Sequence, residues 1–170
     1  MNLCKNGEFR ASEHWPYAIT SGCVVYRKIG PTTEVLLLSR AQQSDPRSAG
    51  ISDQSYHLPK GHVKVGEAIE DTAKRETEEE AACVVDPEVY LGSLHWTFTH
   101  PRDTYISDKT AHSFLAKWTR DQGEIDQEHD ARVWVTLDDA VRLLNTASNP
   151  KNEYIFIERA KKYFELTDAS

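Results

Sequence analysis

Apolar and polar residues are arranged in short segments whose patterns are typical of β-strands. Two such segments come early, at residues 17–27 and 34–38, and three come later, at residues 90–100, 111–119 and 132–135. The first is rich in β-forming residues, the second is a short apolar run, and in the later three apolar residues alternate with polar or aromatic ones. The pattern therefore predicts five strands, arranged as an early pair and a later group of three.

Three other segments have the composition of helices. Residues 67–82 contain strong helix formers and neither proline nor glycine, and residues 138–144 and 150–164 follow the last predicted strand. In the last of these segments, Pro150 suits the first helical position and Asn149 can cap it. Strands, then a helix, then strands and helices predict an α/β fold in which a mixed β-sheet is sandwiched between helices.

Residues 41–55 form a polar segment that contains Pro46 and Gly50. It reads as a long loop, and both a functional flap and an irregular insertion are compatible with its composition. Residues 1–16 are interpreted as an N-terminal extension and residues 17–166 as one domain. This division suits a chain of 170 residues, 39% of them hydrophobic, which can form a single core.

Composition narrows the classes of function. The longest apolar runs are well short of the ~20 residues of a membrane span, and the first fifteen residues do not resemble a secretory signal, so a cytoplasmic protein without membrane association is expected. The three cysteines are far apart, which suggests neither a zinc site nor a disulfide framework. The formal net charge of -7 argues against a stable nucleic-acid complex. Neither length nor charge predicts an oligomeric state.

The acidic residues of the first predicted helix are of two kinds. On a helical wheel, Glu76 and Glu80 fall on the apolar stripe and Glu79 lies at its edge. The opposite, solvated side carries four further charged residues, namely Glu70, Asp71, Lys74 and Glu78. Carboxylates gathered beside a core repel one another and lose hydration, so they need a counter-charge. Helix geometry alone leaves two candidates open: a hard divalent cation, or pairing with arginine and lysine.

The spacing around these glutamates resembles the signature of the Nudix hydrolases. Six fixed positions of that signature match at the expected separations: Gly61, Glu67, Arg75, Glu76, Glu79 and Glu80. Thr77 and Cys83 stand where the family has aliphatic residues, and Ala82 stands where it has glycine. Since alanine lacks glycine's freedom to adopt a positive φ, we expect the helix to end differently or to run one residue longer.

The resemblance implies a Nudix fold, and it implies Mg2+ or Mn2+ bound by Glu76, Glu79 and Glu80. It further implies that Arg75 orients a glutamate and that Glu67 supports the junction between loop and helix. Either Glu79 or Glu80 would activate the attacking water. In this reading the metal neutralises phosphate charge and makes a bound water more acidic.

The residues beside the signature resemble one subgroup, the asymmetrical diadenosine tetraphosphate hydrolases. The matching elements are residues 58–63, Thr77, Lys109–Thr110 and the segment 127–134 with its Glu128 and Trp134. This resemblance makes Glu128 a further metal ligand or the general base. The candidate substrate-binding residues are Lys60, His62, Tyr105 and Lys109. A solvated loop glutamate, surface lysines and core aromatics are the corresponding alternatives, and Trp96 or Phe98 could replace Tyr105 in stacking on a base.

The leading hypothesis is therefore magnesium-dependent hydrolysis of diadenosine tetraphosphate to ATP and AMP. Diphosphoinositol polyphosphates are an alternative substrate class that needs a dense basic pocket, for which Lys60, Lys64, Lys109, Arg47 and Arg102 are candidates. Oxidised nucleotides and capped RNA are further alternatives. A catalytically silent nucleotide-binding module is the non-enzyme alternative, and the retention of Glu76, Glu79 and Glu80 argues against it.

Overall fold

The computed structural model describes residues 7–12, 15–41, 54–99, 105–146 and 151–168. The strands are β1 (Tyr17–Ile29), β2 (Thr32–Ala41), β3 (Gln54–His57), β4 (Lys60–His62), β5 (Cys83–Thr99), β6 (Ile106–Asp121) and β7 (Ala131–Thr136). The helices are α1 (Ile69–Ala81), α2 (Leu137–Leu144) and α3 (Tyr154–Asp168). None of the helices in the described part of the chain is long and apolar enough to cross a membrane.

The strands form one mixed sheet with the order β3-β2-β1-β6-β5, to which β4 is joined through β1 and β7 through β2. The neighbours β1 and β6 run parallel, and the other pairs are antiparallel. Side chains alternate across β1, so that Val24 and Tyr26 pack towards α2 and α3 while Cys23 and Val25 pack towards α1. Helices therefore cover both faces, and the predicted α/β sandwich is confirmed.

Helix α1 ends in a way that the sequence did not predict. Ala82 adopts the left-handed conformation, with φ 49° and ψ 49°, directly after the last helical residue, Ala81. The expectation of a different or later helix end is therefore wrong. Arg132 of β7 donates hydrogen bonds to the carbonyl oxygens of Ala81 and Ala82, at 2.9 and 3.0 Å. These bonds satisfy acceptors that the helix leaves unpaired, and they help to hold an alanine where glycine is usual.

Three further features differ from the prediction. Strand β5 starts at Cys83 rather than residue 90, and β-bulges beside Pro87 accommodate the proline that interrupts the alternation. The short strands β3 and β4 were not among the predicted strands. Helix α3 starts at Tyr154 rather than Pro150, because Asn152 has a positive φ of 55° that no α-helix contains. Residues 42–53 of the predicted loop, with Asn149 and Pro150, are outside the described residues.

Candidate active site

A cluster of hydrogen bonds joins the start of α1 to its middle. Both carboxylate oxygens of Glu67 accept from Arg75, at 2.7 Å from Nε and 2.9 Å from Nη2. The same carboxylate accepts from the Thr72 hydroxyl at 2.7 Å and from the Lys64 amide at 3.1 Å. The paired guanidinium, with these other donors, lowers the pKa of Glu67 to about 2 although partial burial opposes the shift. The loop before α1 is thereby fixed to the helix through Glu67.

Arg75 also contacts two of the predicted metal ligands. Its Nη1 donates to Glu76 at 2.5 Å and reaches Glu79 at 3.5 Å. The Glu76 side chain is 14% exposed, whereas that of Glu79 is 60% exposed. Glu76 lies against Gly61 so closely that a Cβ at residue 61 would come within 1.9 Å of Glu76 Oε2. Glycine at this position therefore makes room for the carboxylate.

Glu80 contacts Lys60, the first residue of β4. Its Oε2 accepts a hydrogen bond of 2.9 Å from the backbone amide of Lys60. Burial raises the pKa of Glu80 to about 7, although the Lys60 amide and ammonium oppose the shift. Burial likewise raises the pKa of Glu76, against the effect of Arg75. Both carboxylates thus border the three-residue strand at the edge of a cleft.

The three glutamates of α1 offer a set of donors suited to a divalent cation. Magnesium prefers carboxylate oxygens, and a cation placed between α1 and β4 would relieve the burial cost that raises the pKa of Glu76 and Glu80. Among the described residues, no three acidic, histidine or cysteine side chains already converge as they would around an ion. Glu76 and Glu79 instead contact Arg75, so binding would require their carboxylates to turn from the guanidinium. The donor chemistry fits the metal that the signature implies.

Beside Glu80 the structure forms a cleft of about 190 Å³. Its lining includes four basic side chains, Arg40, Lys60, Lys109 and Lys151. Three histidines and two acidic residues also line it: His57, His62, His129, Glu80 and Glu128. Although the whole chain has a net charge of -7, cations outnumber carboxylates here. The cleft is therefore a local cationic site next to the signature helix.

Burial and mutual repulsion act on the basic groups of this cleft. Burial and the neighbouring cations lower the pKa of Lys109 to about 7, and Lys60 together with burial lowers that of Lys151 to about 8. Burial likewise lowers the pKa of His57 and of His62 to about 4, so both imidazoles are neutral at pH 7. An anionic ligand would relieve the repulsion among these groups.

Glu128 lies at the edge of the same cleft. Its side chain is 75% exposed and accepts from Arg40 Nη2 at 2.9 Å, while its carbonyl oxygen accepts from Arg40 Nε at 2.7 Å. Arg40 at the end of β2 thus holds the segment that carries Glu128 against the sheet. Next to it, His129 contacts Asp126 at 2.7 Å and its side chain is 7% exposed.

The described aromatic residues that were predicted to stack on a base, Trp96 and Tyr105, are not among the residues that line the cleft. Tyr105 is half-buried and is not one of the residues that line the cleft. Trp96 is half-buried, and its ring centroid lies 5.7 Å from the ammonium nitrogen of Lys109. The side chain of Phe98 is outside the described residues. Trp96 is thus an aromatic candidate that contacts a cleft residue.

Four cleft-associated residues had no role in the sequence-based prediction: Arg40, His57, Lys151 and Glu153. Glu153 is buried behind the cleft, with 1% of its surface exposed, and contacts Lys60. All four are polar residues in or beside polar stretches of the sequence, where burial leaves no periodic signal. The charge of the cleft depends on the packing of β2, β3, β4 and the segment before α3, which brings these residues together.

Comparison with known proteins gives a consistent result. Residues 16–157 match the family model described as the NUDIX domain. The chain is 32% identical over 148 residues to Nudix hydrolase 21, chloroplastic, of Arabidopsis thaliana, which covers 84% of this chain and 68% of that protein. It is 30% identical over 128 residues to the bis(5'-nucleosyl)-tetraphosphatase (asymmetrical) of Caenorhabditis elegans, which covers 75% of this chain and 85% of that protein.

A solved structure agrees with the sequence matches. The binary complex of a C. elegans Ap4A hydrolase superposes with a TM-score of 0.62 at 25% identity, and the match covers 87% of this chain and 98% of that one.

Proposed function

Because the chain belongs to the Nudix hydrolases, which act on nucleoside-diphosphate-linked substrates, we propose that it hydrolyses a dinucleoside polyphosphate. The favoured reaction is the conversion of diadenosine tetraphosphate to ATP and AMP with Mg2+ or Mn2+. The observation that carries this proposal is the position of Glu80 at the wall of a cleft lined by Arg40, Lys60, Lys109 and Lys151. A phosphate chain needs this combination of a reactive carboxylate and compensating cations.

We assign the metal to Glu76, Glu79, Glu80 and Glu128. When bound, the cation would neutralise phosphate charge and acidify a coordinated water. Arg75 holds Glu76 and Glu79 in the ligand-free protein, and Arg40 holds Glu128 at the cleft edge. These ion pairs limit the side-chain conformations of Glu76, Glu79 and Glu128.

The chain's own residues supply the rest of the reaction. The phosphates would lie against Lys109 and His62, with Lys60 at the cleft wall. Water adds to one phosphorus, the anhydride P–O bond breaks, and the departing phosphate carries away the electron pair. Glu80, whose carboxylate lies at the cleft wall, is our candidate to accept the proton that water loses, with Glu79 as the alternative. Trp96 or Tyr105 would contact a nucleobase.

The similarity to the C. elegans tetraphosphatase supports the choice of substrate, and the flanking residues 58–63 and Glu128 agree with it. A second substrate class, the diphosphoinositol polyphosphates, is favoured by one observation. Arg40 and Lys151 line the cleft in addition to Lys60 and Lys109. Of the basic residues that the sequence suggested for such a pocket, Lys60 and Lys109 line the cleft, Lys64 does not, and Arg47 and Arg102 are outside the described residues. We further propose that the protein acts in the cytoplasm.

A substrate panel tests the proposal. Purified protein is incubated with Mg2+ and, separately, with diadenosine tetraphosphate, a diphosphoinositol polyphosphate, an oxidised nucleoside triphosphate and a capped RNA, and products are resolved by chromatography. We expect the dinucleoside polyphosphate to have the highest kcat/KM. Glu80→Gln should lower turnover by about a hundredfold or more, whereas the exposed Glu70→Gln on the same helix should leave it unchanged. Full activity of Glu80→Gln would remove the metal-site model, and inactivity on every substrate would favour a silent binding module.

A further inference from the structure

A buried carboxylate lies directly behind the cleft. Glu153, at the residue before α3, is 1% exposed, and among the described residues it is the one acidic side chain that is buried. Ionised carboxylates are rarely buried, because desolvation costs several kcal/mol unless nearby cations offset it. A group buried at this cost beside a phosphate-binding cleft requires an explanation.

The neighbours of Glu153 are basic residues of that cleft. Its Oε1 lies 2.5 Å from the ammonium nitrogen of Lys60, and its Oε2 lies 3.9 Å from His57 Nδ1. Burial alone would raise the pKa of Glu153, but Lys60 and Lys151 outweigh it and the pKa is lowered. Glu153 is therefore an anion, and it compensates the charge of Lys60.

The fold keeps this carboxylate in place. The Glu153 carbonyl oxygen accepts from the Phe156 amide at 3.0 Å in the first turn of α3, and Phe156 and Ile157 are buried in the core. Lys60 is held from the other side, since its strand pairs with β1 at Gly22 and its amide donates to Glu80. Its side chain is 14% exposed. The ammonium therefore borders the cleft but has little freedom to move.

We infer that Glu153 is a positioning residue that sets the charge balance of the cleft, by fixing Lys60 at the wall as a neutral ion pair. The inference rests on the proposed polyphosphate-binding function. Phosphates then meet mainly the charge of Lys109 and the other basic residues, and Lys60 acts through its backbone contact with Glu80. Removing the Glu153 charge would leave the cleft one unit more positive and strengthen its attraction for polyanions.

Calorimetric binding of inorganic tripolyphosphate, without metal, tests this directly. At about pH 5, well below the pKa values of Lys109 and Lys151, both amines stay charged even though loss of the Glu153 carboxylate lowers those values further, and Glu153→Gln should bind it about tenfold more tightly than the wild type. Glu153→Asp, which keeps the charge, should stay within about threefold of the wild type. Lys109→Met should bind about tenfold more weakly, which locates the ligand in the cleft.

The double variant Glu153→Gln/Lys60→Met provides a second measurement if the single glutamine variant does not fold. It replaces the ion pair with uncharged side chains, a change that is often neutral for stability. A neutral pair predicts affinity within about threefold of the wild type, whereas direct phosphate binding by Lys60 predicts a loss of about tenfold or more.

Unchanged or weaker binding by a folded Glu153→Gln variant would overturn the inference, as would absence of tripolyphosphate binding to the wild type. The outcome is separable from the proposed function, because the assay needs no turnover. A protein that shows this binding pattern but hydrolyses nothing in the panel refutes the proposed reaction and leaves the role of Glu153 standing.

Discussion

The junction between Glu67 and Arg75 gives the most quantitative prediction. Glu67→Gln keeps the shape of the side chain but removes its charge and one acceptor oxygen. In the wild type this carboxylate receives four hydrogen bonds, two of them from Arg75. The amide nitrogen of glutamine cannot accept a hydrogen bond, so at least one of the donors on that side loses its partner.

The size of the effect follows from the carboxyl pKa. Lowering it from 4.5 to about 2 corresponds to at most about 3 kcal/mol of folding free energy. Because the pair is partly exposed, solvent screening reduces our expected loss for Glu67→Gln to about 2 kcal/mol at pH 7. A depressed carboxyl pKa stabilises the protein above the unfolded-state value, and this stabilisation is lost as the pH falls from about 4.5 through about 2.

Urea unfolding at a series of pH values between neutral and about 2.5 measures both quantities. The variant should have a lower free energy of unfolding at pH 7 and a shallower loss of stability on acidification. Glu70→Gln is the matched control, because Glu70 is exposed on the same helix, and its effect should stay below about 0.5 kcal/mol. Equal free energies of unfolding for Glu67→Gln and Glu70→Gln at every pH would show that the ion pair does not stabilise the junction.

Three further predictions concern the site. Gly61→Ala should lower kcat by about a hundredfold or more with little loss of secondary structure by circular dichroism, because its Cβ would displace the Glu76 carboxylate; wild-type kcat would contradict the packing described here. Arg132→Met should lower the free energy of unfolding by about 1–2 kcal/mol in urea, since two carbonyl groups at the end of α1 lose their donor, and an unchanged midpoint would show that water replaces it. At subsaturating substrate and limiting Mg2+, kcat/KM should fall as the pH drops below about 7, because protonation of Glu80 competes with metal binding, and a rate independent of pH between about 5.5 and 8 would contradict a role for Glu80 in binding the metal.

The sequence predicted the central elements because their signals are local. β-forming residues marked β1, alternation marked β6 and β7, and helix formers without proline or glycine marked α1. The division of the α1 glutamates into solvated and core-facing groups has a partial structural counterpart, since Glu70 is exposed and Glu76 and Glu80 are partly buried. Glu78, which was predicted to be solvated, is instead half-buried and accepts a hydrogen bond of 3.1 Å from the Val85 amide. The roles of Glu76 and Glu80 in binding metal stay a prediction.

Other features depend on contacts between distant segments. Ala82 adopts a glycine-like conformation at a helix end that is bonded to Arg132, fifty residues further along the chain. Glu153 is buried because α3 brings it to Lys60, and nothing in its own neighbourhood distinguishes it from a solvated glutamate. Local pattern therefore identified the helix that carries the candidate metal ligands, whereas the charge balance of the cleft required the three-dimensional arrangement.

We propose that the protein hydrolyses a dinucleoside polyphosphate asymmetrically in the cationic cleft beside Glu80. The most direct measurement is chromatography of the products formed from diadenosine tetraphosphate by the purified protein with Mg2+. We expect equal amounts of ATP and AMP, and no products when the metal is chelated. Formation of two ADP molecules, or of no nucleotide product at all, would contradict it.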